Sequence, residues 1–147
     1  MAVYVDISRC IGCRACEVAC EREHFGKPHI SVLPADGHAA VPLLCHHCSD
    51  APCALVCYSG ALSIAGDRVS FDPARCTGCG ICSLACPFGV IWSDKLAHKC
   101  DLCYPAELPN CVATCPAQAL SADYDVVSRR ARHKAAQASI AVGRRSI

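Results

Sequence analysis

Sixteen of the 147 residues are cysteine, and they fall into four groups of four: Cys10, Cys13, Cys16, Cys20; Cys45, Cys48, Cys53, Cys57; Cys76, Cys79, Cys82, Cys86; and Cys100, Cys103, Cys111, Cys115. A [4Fe-4S] cube is held by four cysteine thiolates, so the count matches four such clusters. The first and third groups share the spacing C-x2-C-x2-C-x3-C, and Pro87 follows the third directly. Close CxxC steps let one loop wrap three corners of a cube, while the fourth cysteine in this spacing serves a different cluster. The second and fourth groups, C-x2-C-x4-C-x3-C and C-x2-C-x7-C-x3-C, are looser but keep the opening CxxC and the closing CxxxC. One-electron storage and transfer is the chemistry this pattern supports.

Two structural readings compete with it. An even cysteine count in a small protein can mean a disulfide framework. The N-terminus MAVYVDISRCIGC has neither the charged nor the apolar region of an export signal and enters a cysteine motif at once, so a reducing, cytoplasmic setting is expected. Structural zinc pairs two short hooks a dozen or more residues apart, not three cysteines within seven positions. No nucleophilic triad, phosphate-cradling loop or flavin fingerprint is present, so substrate chemistry is expected to belong to a partner and none to this chain.

With only eight aromatic residues, counted as one Trp, four Tyr and three Phe, a large core is not expected. The clusters are expected to take its place, shielded by Ile11, Ala15, Val18, Ala19, Ile81, Leu84 and Ala85, and the chain should not fold without metal. The formal charge of +1 counts the cysteines as neutral. Sixteen thiolates and four oxidised cores of about +2 each bring the loaded protein to about −7. Basic charge gathers at the C-terminus, where residues 126–147 carry Arg129, Arg130, Arg132, Lys134, Arg144 and Arg145 and no acid.

The elements that must position the cysteines are short. Strands are expected at residues 2–5 and in a hairpin of 61–64 and 68–71; helices are expected near 14–23, 51–57, 80–85 and 109–114, ended by Pro87 and Pro116. Cys20 and Cys57 are followed by Glu21 and Tyr58 in place of proline, so their helices are expected to run on. Pro34, Gly37 and Pro42 mark a surface loop. Gly12, Gly78 and Gly80 allow backbone to approach a cluster closely. No stretch has the length of a membrane span. Residues 124–142 read as an alanine-rich, weakly amphipathic helix with a basic face, suited to an acidic partner or a second copy of the chain. Nothing beyond that basic run points to nucleic acid.

Other side chains invite weaker readings. His46 and His47 lie inside the second motif, where a hydrogen bond near sulfur would tune potential; His24, His29, His38 and His98 read as ordinary surface or loop residues. Lys99 either sets positive charge beside the Cys100 cluster or is simply solvated, the safer reading. Phe88 and Trp92 are expected to cover a cluster.

The segments CIGCRACEVAC, CHHCSDAPCALVC, CTGCGICSLACPFGVI and KCDLCYPAELPNCVATCPAQAL, within residues 3–122, resemble the iron-sulfur electron-transfer subunits of the dimethyl sulfoxide reductase, formate dehydrogenase and polyferredoxin group. The resemblance implies an α+β fold of two ferredoxin-like modules. The four-cluster domain would span 1–122, with an outer module from about 1–25 and 95–122 and an inner module at about 40–94; residues 123–147 would form the basic tail. It also implies crossed ligand sets. Cys10, Cys13, Cys16 and Cys115 would hold cluster 1; Cys20, Cys100, Cys103 and Cys111 cluster 2; Cys45, Cys48, Cys53 and Cys86 cluster 3; Cys57, Cys76, Cys79 and Cys82 cluster 4.

The implied partner is a catalytic oxidoreductase subunit, in the first place a molybdenum or tungsten enzyme such as an aldehyde oxidoreductase or formate dehydrogenase, with hydrogenase or carbon monoxide dehydrogenase as alternatives. A flavin subunit or further copies of the chain, stacked into a longer wire, would complete the path. The alternative role is a free polyferredoxin that diffuses between enzymes. A cluster-reading sensor would need an effector domain, and 147 residues show none.

Overall fold

The computed structural model describes residues 2–35 and 40–143. Its elements run β1 (Tyr4–Val5), α1 (Ala15–Glu23), β2 (Ile30–Pro34), β3 (Ala40–Leu44), α2 (Pro52–Leu55), β4 (Leu62–Ala65), β5 (Arg68–Phe71), α3 (Ile81–Ala85), β6 (Trp92–Ser93), β7 (Ala97–His98), α4 (Asn110–Thr114), β8 (Leu120–Ser121) and α5 (Tyr124–Gly143), with 3-10 turns at Ile7–Arg9 and Pro73–Arg75. The strands form antiparallel pairs: β1 with β8, β2 with β3, β4 with β5 and β6 with β7. No described helix is long and apolar enough to cross a membrane.

The pairing is nested. β1 meets β8 with Val5 opposite Leu120, and α1 packs on α4, so the first cysteine group lies beside the last. Inside that frame α2 packs on α3. Each of the four cysteine loops winds through two left-handed residues: Gly12 and Arg14, His47 and Ala51, Gly78 and Gly80, Leu102 and Cys103. Left-handed residues set into such loops turn neighbouring N–H groups toward one side, an arrangement suited to an anion. Glycine at 78 has a further reason: a Cβ there would run into the Lys95 carbonyl oxygen.

Proline after the crossing cysteine ends two helices as expected, because Cys86 and Cys115 are forced to extended ψ values of 114° and 105°. Where proline is missing the outcome splits. α1 runs past Cys20 to Glu23, but α2 stops at Leu55, before Cys57. Gly60, at φ +66, donates its N–H to the Cys57 carbonyl at 3.0 Å, and that turn delivers the chain into β4 instead of prolonging the helix.

Two expectations need correction here. The supposed loop between the first two motifs is the hairpin β2–β3, with Ile30, Val32, Ala40 and Leu44 buried; Gly37 and His38 fall outside the described residues. The buried positions alternate along both strands, and Pro42 is accommodated within β3. Ile11, Val18, Ile81 and Leu84 are exposed, Leu84 at 89%, although Ile11 and Ile81 do line cysteine-bearing cavities. The buried side chains are others, in two clusters: Val3, Ile30, Val32, Leu44, Leu102 and Leu120 around Cys16, Cys20 and Cys111, and Leu62, Val69, Ile91 and Ala97 around Cys53 and Cys82. The tail is helical over Tyr124–Gly143 and packs on β1 and β8, with Tyr4 and Tyr124 edge to face at 5.3 Å.

Candidate metal centres and the path between them

Three cavities are lined by cysteine quartets drawn from different motifs. Cys57, Cys76, Cys79 and Cys82 line one; Cys10, Cys13, Cys16 and Cys115 a second; Cys20, Cys100, Cys103 and Cys111 a third. The space among the lining atoms, solvent-open parts included, is about 350, 310 and 300 Å³, so the three are nearly equal in size. The remaining four cysteines also converge: burial raises the thiol pKa of Cys48 and of Cys53, and the charges of Cys45 and Cys86 act on both.

The thiols do not share one environment. Burial pushes Cys16 up to about 11 and Cys111 up to about 12, and raises Cys100 as well. Cys57 goes the other way. Burial opposes its ionisation, but the Ser59 hydroxyl and the N–H groups of Leu62, Ala61 and Gly60 outweigh it and hold the thiol below its usual range. Backbone N–H groups also donate to sulfur from His29 to Cys20 and Ala119 to Cys115 at 3.2 Å, and from His47 to Cys45, Leu62 to Cys57 and Leu102 to Cys100 at 3.4 Å. Such donors stabilise negative charge on sulfur.

Neighbouring quartets sense one another. Cys111 feels the charge of Cys16 as well as its own partners Cys103 and Cys20, and Cys100 feels Cys45. Cys53 and Cys82 share one apolar cluster. The quartets with Cys13 and Cys79 each have an exposed cysteine, whereas the other two have none.

The histidines and the lysine depart from their expected roles. Lys99 is buried, 3% exposed, not solvated: Nζ donates to the carbonyls of Cys100 at 2.7 Å and Val69 at 2.8 Å and lies 3.5 Å from Nδ1 of His47. His47 is also buried, with Nδ1 accepting the Val69 N–H at 3.1 Å. His24, His29 and His98 are not surface residues either: the His29 and His24 rings lie tilted against each other at 4.1 Å, and the side chains of His24 and His98 are each only 14% exposed. Burial holds His29 down at about 4 and His47 at about 3, so both rings are neutral near neutral pH. Phe88 lies against His46 at 4.1 Å, and Trp92 stacks on His98 at 4.0 Å; these rings pack on imidazole.

Comparison with known proteins agrees with this chemistry. The family described as a 4Fe-4S dicluster domain matches residues 37–125. The Escherichia coli K12 electron transport protein HydN is 36% identical over 149 residues, covering 80% of this chain and 85% of HydN. The chain belongs to the 4Fe-4S dicluster ferredoxin family. Formate hydrogenlyase subunit 2 of the same organism is 40% identical over 94 residues, 60% of this chain and 46% of that one. UacF, provisionally named an oxidoreductase, is 40% identical over 131 residues, but the chain spans 20% of its length. This is a ferredoxin-type electron-transport chain with iron-sulfur chemistry.

The residues fit that group. Buried thiols, left-handed loop backbone and inward N–H donors make a site for an anion held through sulfur. Two buried ring nitrogens, Nδ1 of His29 and Nε2 of His47, find no hydrogen-bond partner among the described residues. Buried polar atoms are seldom left unpaired, and sulfur acceptors at the quartets would satisfy them. The same two histidines supply donors to Cys20 and Cys45 through their backbone. Sequence reasoning had only the position of His47 to go on, and for His29 nothing, because a hairpin no spacing rule announces brings it to Cys20.

Proposed function

We propose that the chain is a non-catalytic relay that passes electrons through four [4Fe-4S] clusters between a catalytic oxidoreductase subunit and a second redox subunit or carrier. The observation that carries the reading is the crossed composition of the cavities, three of nearly equal size and each lined by one intact motif triplet plus a cysteine from another motif or, for Cys20, from the far end of the chain. The ligand sets are then Cys10, Cys13, Cys16 and Cys115; Cys20, Cys100, Cys103 and Cys111; Cys45, Cys48, Cys53 and Cys86; and Cys57, Cys76, Cys79 and Cys82. The clusters supply one-electron storage. The chain holds them in sequence, leaves no cysteine of the middle two exposed and exposes the ends beside Cys13 and Cys79.

Two ferredoxin-like modules follow from the same reading, the outer one built from both ends of the described chain and the inner one from residues 40–94. The two apolar clusters follow this division only in part, since Ala40 and Leu44 pack with the outer module's residues and Ala97 with the inner module's. The partner is a molybdenum or tungsten enzyme of the formate-oxidising or aldehyde-oxidising kind, a reading favoured by the motif resemblance and by the similarity to a formate hydrogenlyase subunit. A reducing cytoplasm suits sixteen free thiols.

The first contact with a partner is assigned to the cluster 1 end. There Arg9, Arg129, Arg130 and Lys134 line a groove between the first 3-10 turn and α5, with Asp6 the acid among the lining residues. Arg9 donates to the Ala117 carbonyl at 2.8 Å and Arg130 to that of Gln118 at 2.9 Å, tying the basic face to the loop that follows Cys115. An acidic partner surface, or a stacked copy of the loaded chain, would complement it.

The test is anaerobic isolation from the native host, followed by iron and sulfide determination and identification of co-purifying proteins. Four clusters and a molybdenum or tungsten protein are expected. Two clusters, or a chain that purifies alone and exchanges electrons freely with several enzymes, would favour a diffusing ferredoxin.

A further inference from the structure

We infer that Lys99, clasped against His47, is a fixed buried cation between the second and third cluster sites and raises the potentials of that central pair above those of the two end clusters. The inference rests on the four-cluster reading. Its geometry stands on Lys99 and His47, the buried polar or charged residues among those described.

Lys99 directly precedes Cys100, and its ammonium donates back to the Cys100 carbonyl at 2.7 Å. Its second bond reaches the Val69 carbonyl at 2.8 Å, in β5, which belongs to the other apolar cluster. Its third contact is Nδ1 of His47 at 3.5 Å. The His47 N–H in turn donates to Cys45 Sγ at 3.4 Å. One ammonium is thus joined to a cysteine of each central set, covalently to Cys100 and through His47 to Cys45.

Among the described residues the partners of Lys99 are two carbonyls and an imidazole, with no carboxylate. An ammonium is costly to bury without an opposite charge. Loaded clusters are the anions available on both sides, so the charge balance that lets Lys99 remain buried runs through them. The interaction is mutual. Whatever the anionic clusters contribute to holding the cation, the cation returns by favouring the form with one more electron, and a positive charge in a dry interior acts more strongly than the same charge in water. Among the described residues the end sites lack such a buried neighbour: the cations near Cys10 and Cys115 lie on the exposed groove, and Arg75 beside Cys76 is exposed, so solvent screens them. An electron entering at either end therefore moves downhill to the middle, and the chain holds charge between deliveries.

The experiment is a potentiometric titration of the anaerobic, iron-loaded protein followed by electron paramagnetic resonance, comparing wild type with Lys99→Met, Lys99→Gln and Lys99→Arg. Removing the charge is expected to lower the potential of two of four clusters by at least the equivalent of a tenfold change in the reduced-to-oxidised ratio, about 59 mV for one electron. The other two should move by less, and Lys99→Arg should stay near wild type. Full iron with four unshifted potentials, or a uniform shift of all four, overturns the inference. So does loading of Lys99→Arg when both neutral variants fail to load, which would make the cation an assembly element. A wild-type protein with fewer than four clusters would defeat the underlying reading instead.

Discussion

The quartet of Cys20, Cys100, Cys103 and Cys111 and the quartet of Cys57, Cys76, Cys79 and Cys82 offer the same ligands, yet they sit in different surroundings. In the first, burial raises the thiols, Cys111 to about 12; in the second, burial raises Cys82, but Cys57 is held below its usual range by a hydroxyl and three backbone N–H groups, and Cys79 is exposed. The deep site takes its countercharge from Lys99. The shallow site takes its stabilisation from local hydrogen bonds. Ligand identity fixes what can bind, and the surroundings fix how readily it accepts an electron.

The largest expected break in this contrast is Cys111→Ser against Cys79→Ser. Cys111 is 7% exposed within the apolar cluster that also contains Cys16 and Cys20, so its loss should cost iron at the deep site and collapse α4 against α1. Cys79→Ser should stay folded with about three-quarters of the iron, as one damaged site in four requires. Iron analysis with circular dichroism reads both; equal losses would erase the distinction.

Cys20→Ser sharpens it next. If ligands cross as proposed, the missing signal belongs to the site built from Cys100, Cys103 and Cys111, and the variant should match Cys103→Ser in its spectrum. A spectrum matching Cys13→Ser would assign Cys20 to its own motif.

The pH dependence of loading comes third. Where the fold has formed ahead of the metal, burial holds the thiols of Cys16, at about 11, and Cys111, at about 12, protonated, and they must release protons as iron binds. Raising the pH from neutral to mildly alkaline lowers that cost, so reconstitution should speed up, more at the deep site than at the Cys57 site. Stopped reconstitution with cluster-resolved resonance signals measures the two rates, and equal acceleration at both would contradict the assigned surroundings.

Gly78→Ala should be a smaller perturbation, confined to the shallow site. The added Cβ meets the Lys95 carbonyl at a residue with φ +72, a combination expected to cost about 1–3 kcal/mol. Thermal unfolding of the loaded protein reads the loss, with the deep-site signal unchanged. Smallest of all is Asp94→Asn. The Lys27 ammonium at 2.7 Å, then His98, keep this carboxylate ionised well below its usual range, so whatever it contributes is present at neutral pH and fades as acid protonates it. The carboxylate is exposed, so a melting-point difference between wild type and Asp94→Asn should be small at neutral pH and vanish in acid.

The four helix positions and the β4–β5 hairpin were legible in the chain because each depends on local spacing: a CxxC loop, a Gly-Asp turn, a proline after a cysteine. The hairpin β2–β3 was hidden behind Pro34 and Pro42, residues that usually speak for a loop. Lys99 was misjudged as solvated for a related reason. A lysine's burial depends on what packs over it, here Val69 and His47, which stand 30 and 52 residues away.

By itself, then, the sequence determined the sulfur chemistry, since sixteen thiolates at these intervals can wrap little else, and the short elements that present them. Only the tertiary structure decided which cysteines face one another, which thiols lose contact with water and where a buried cation lies. Those outcomes rest on the nested contacts of β1 with β8, α1 with α4 and α2 with α3, which join residues far apart in the chain. Electrostatic energies follow distance and burial, and neither is a property of spacing along the chain.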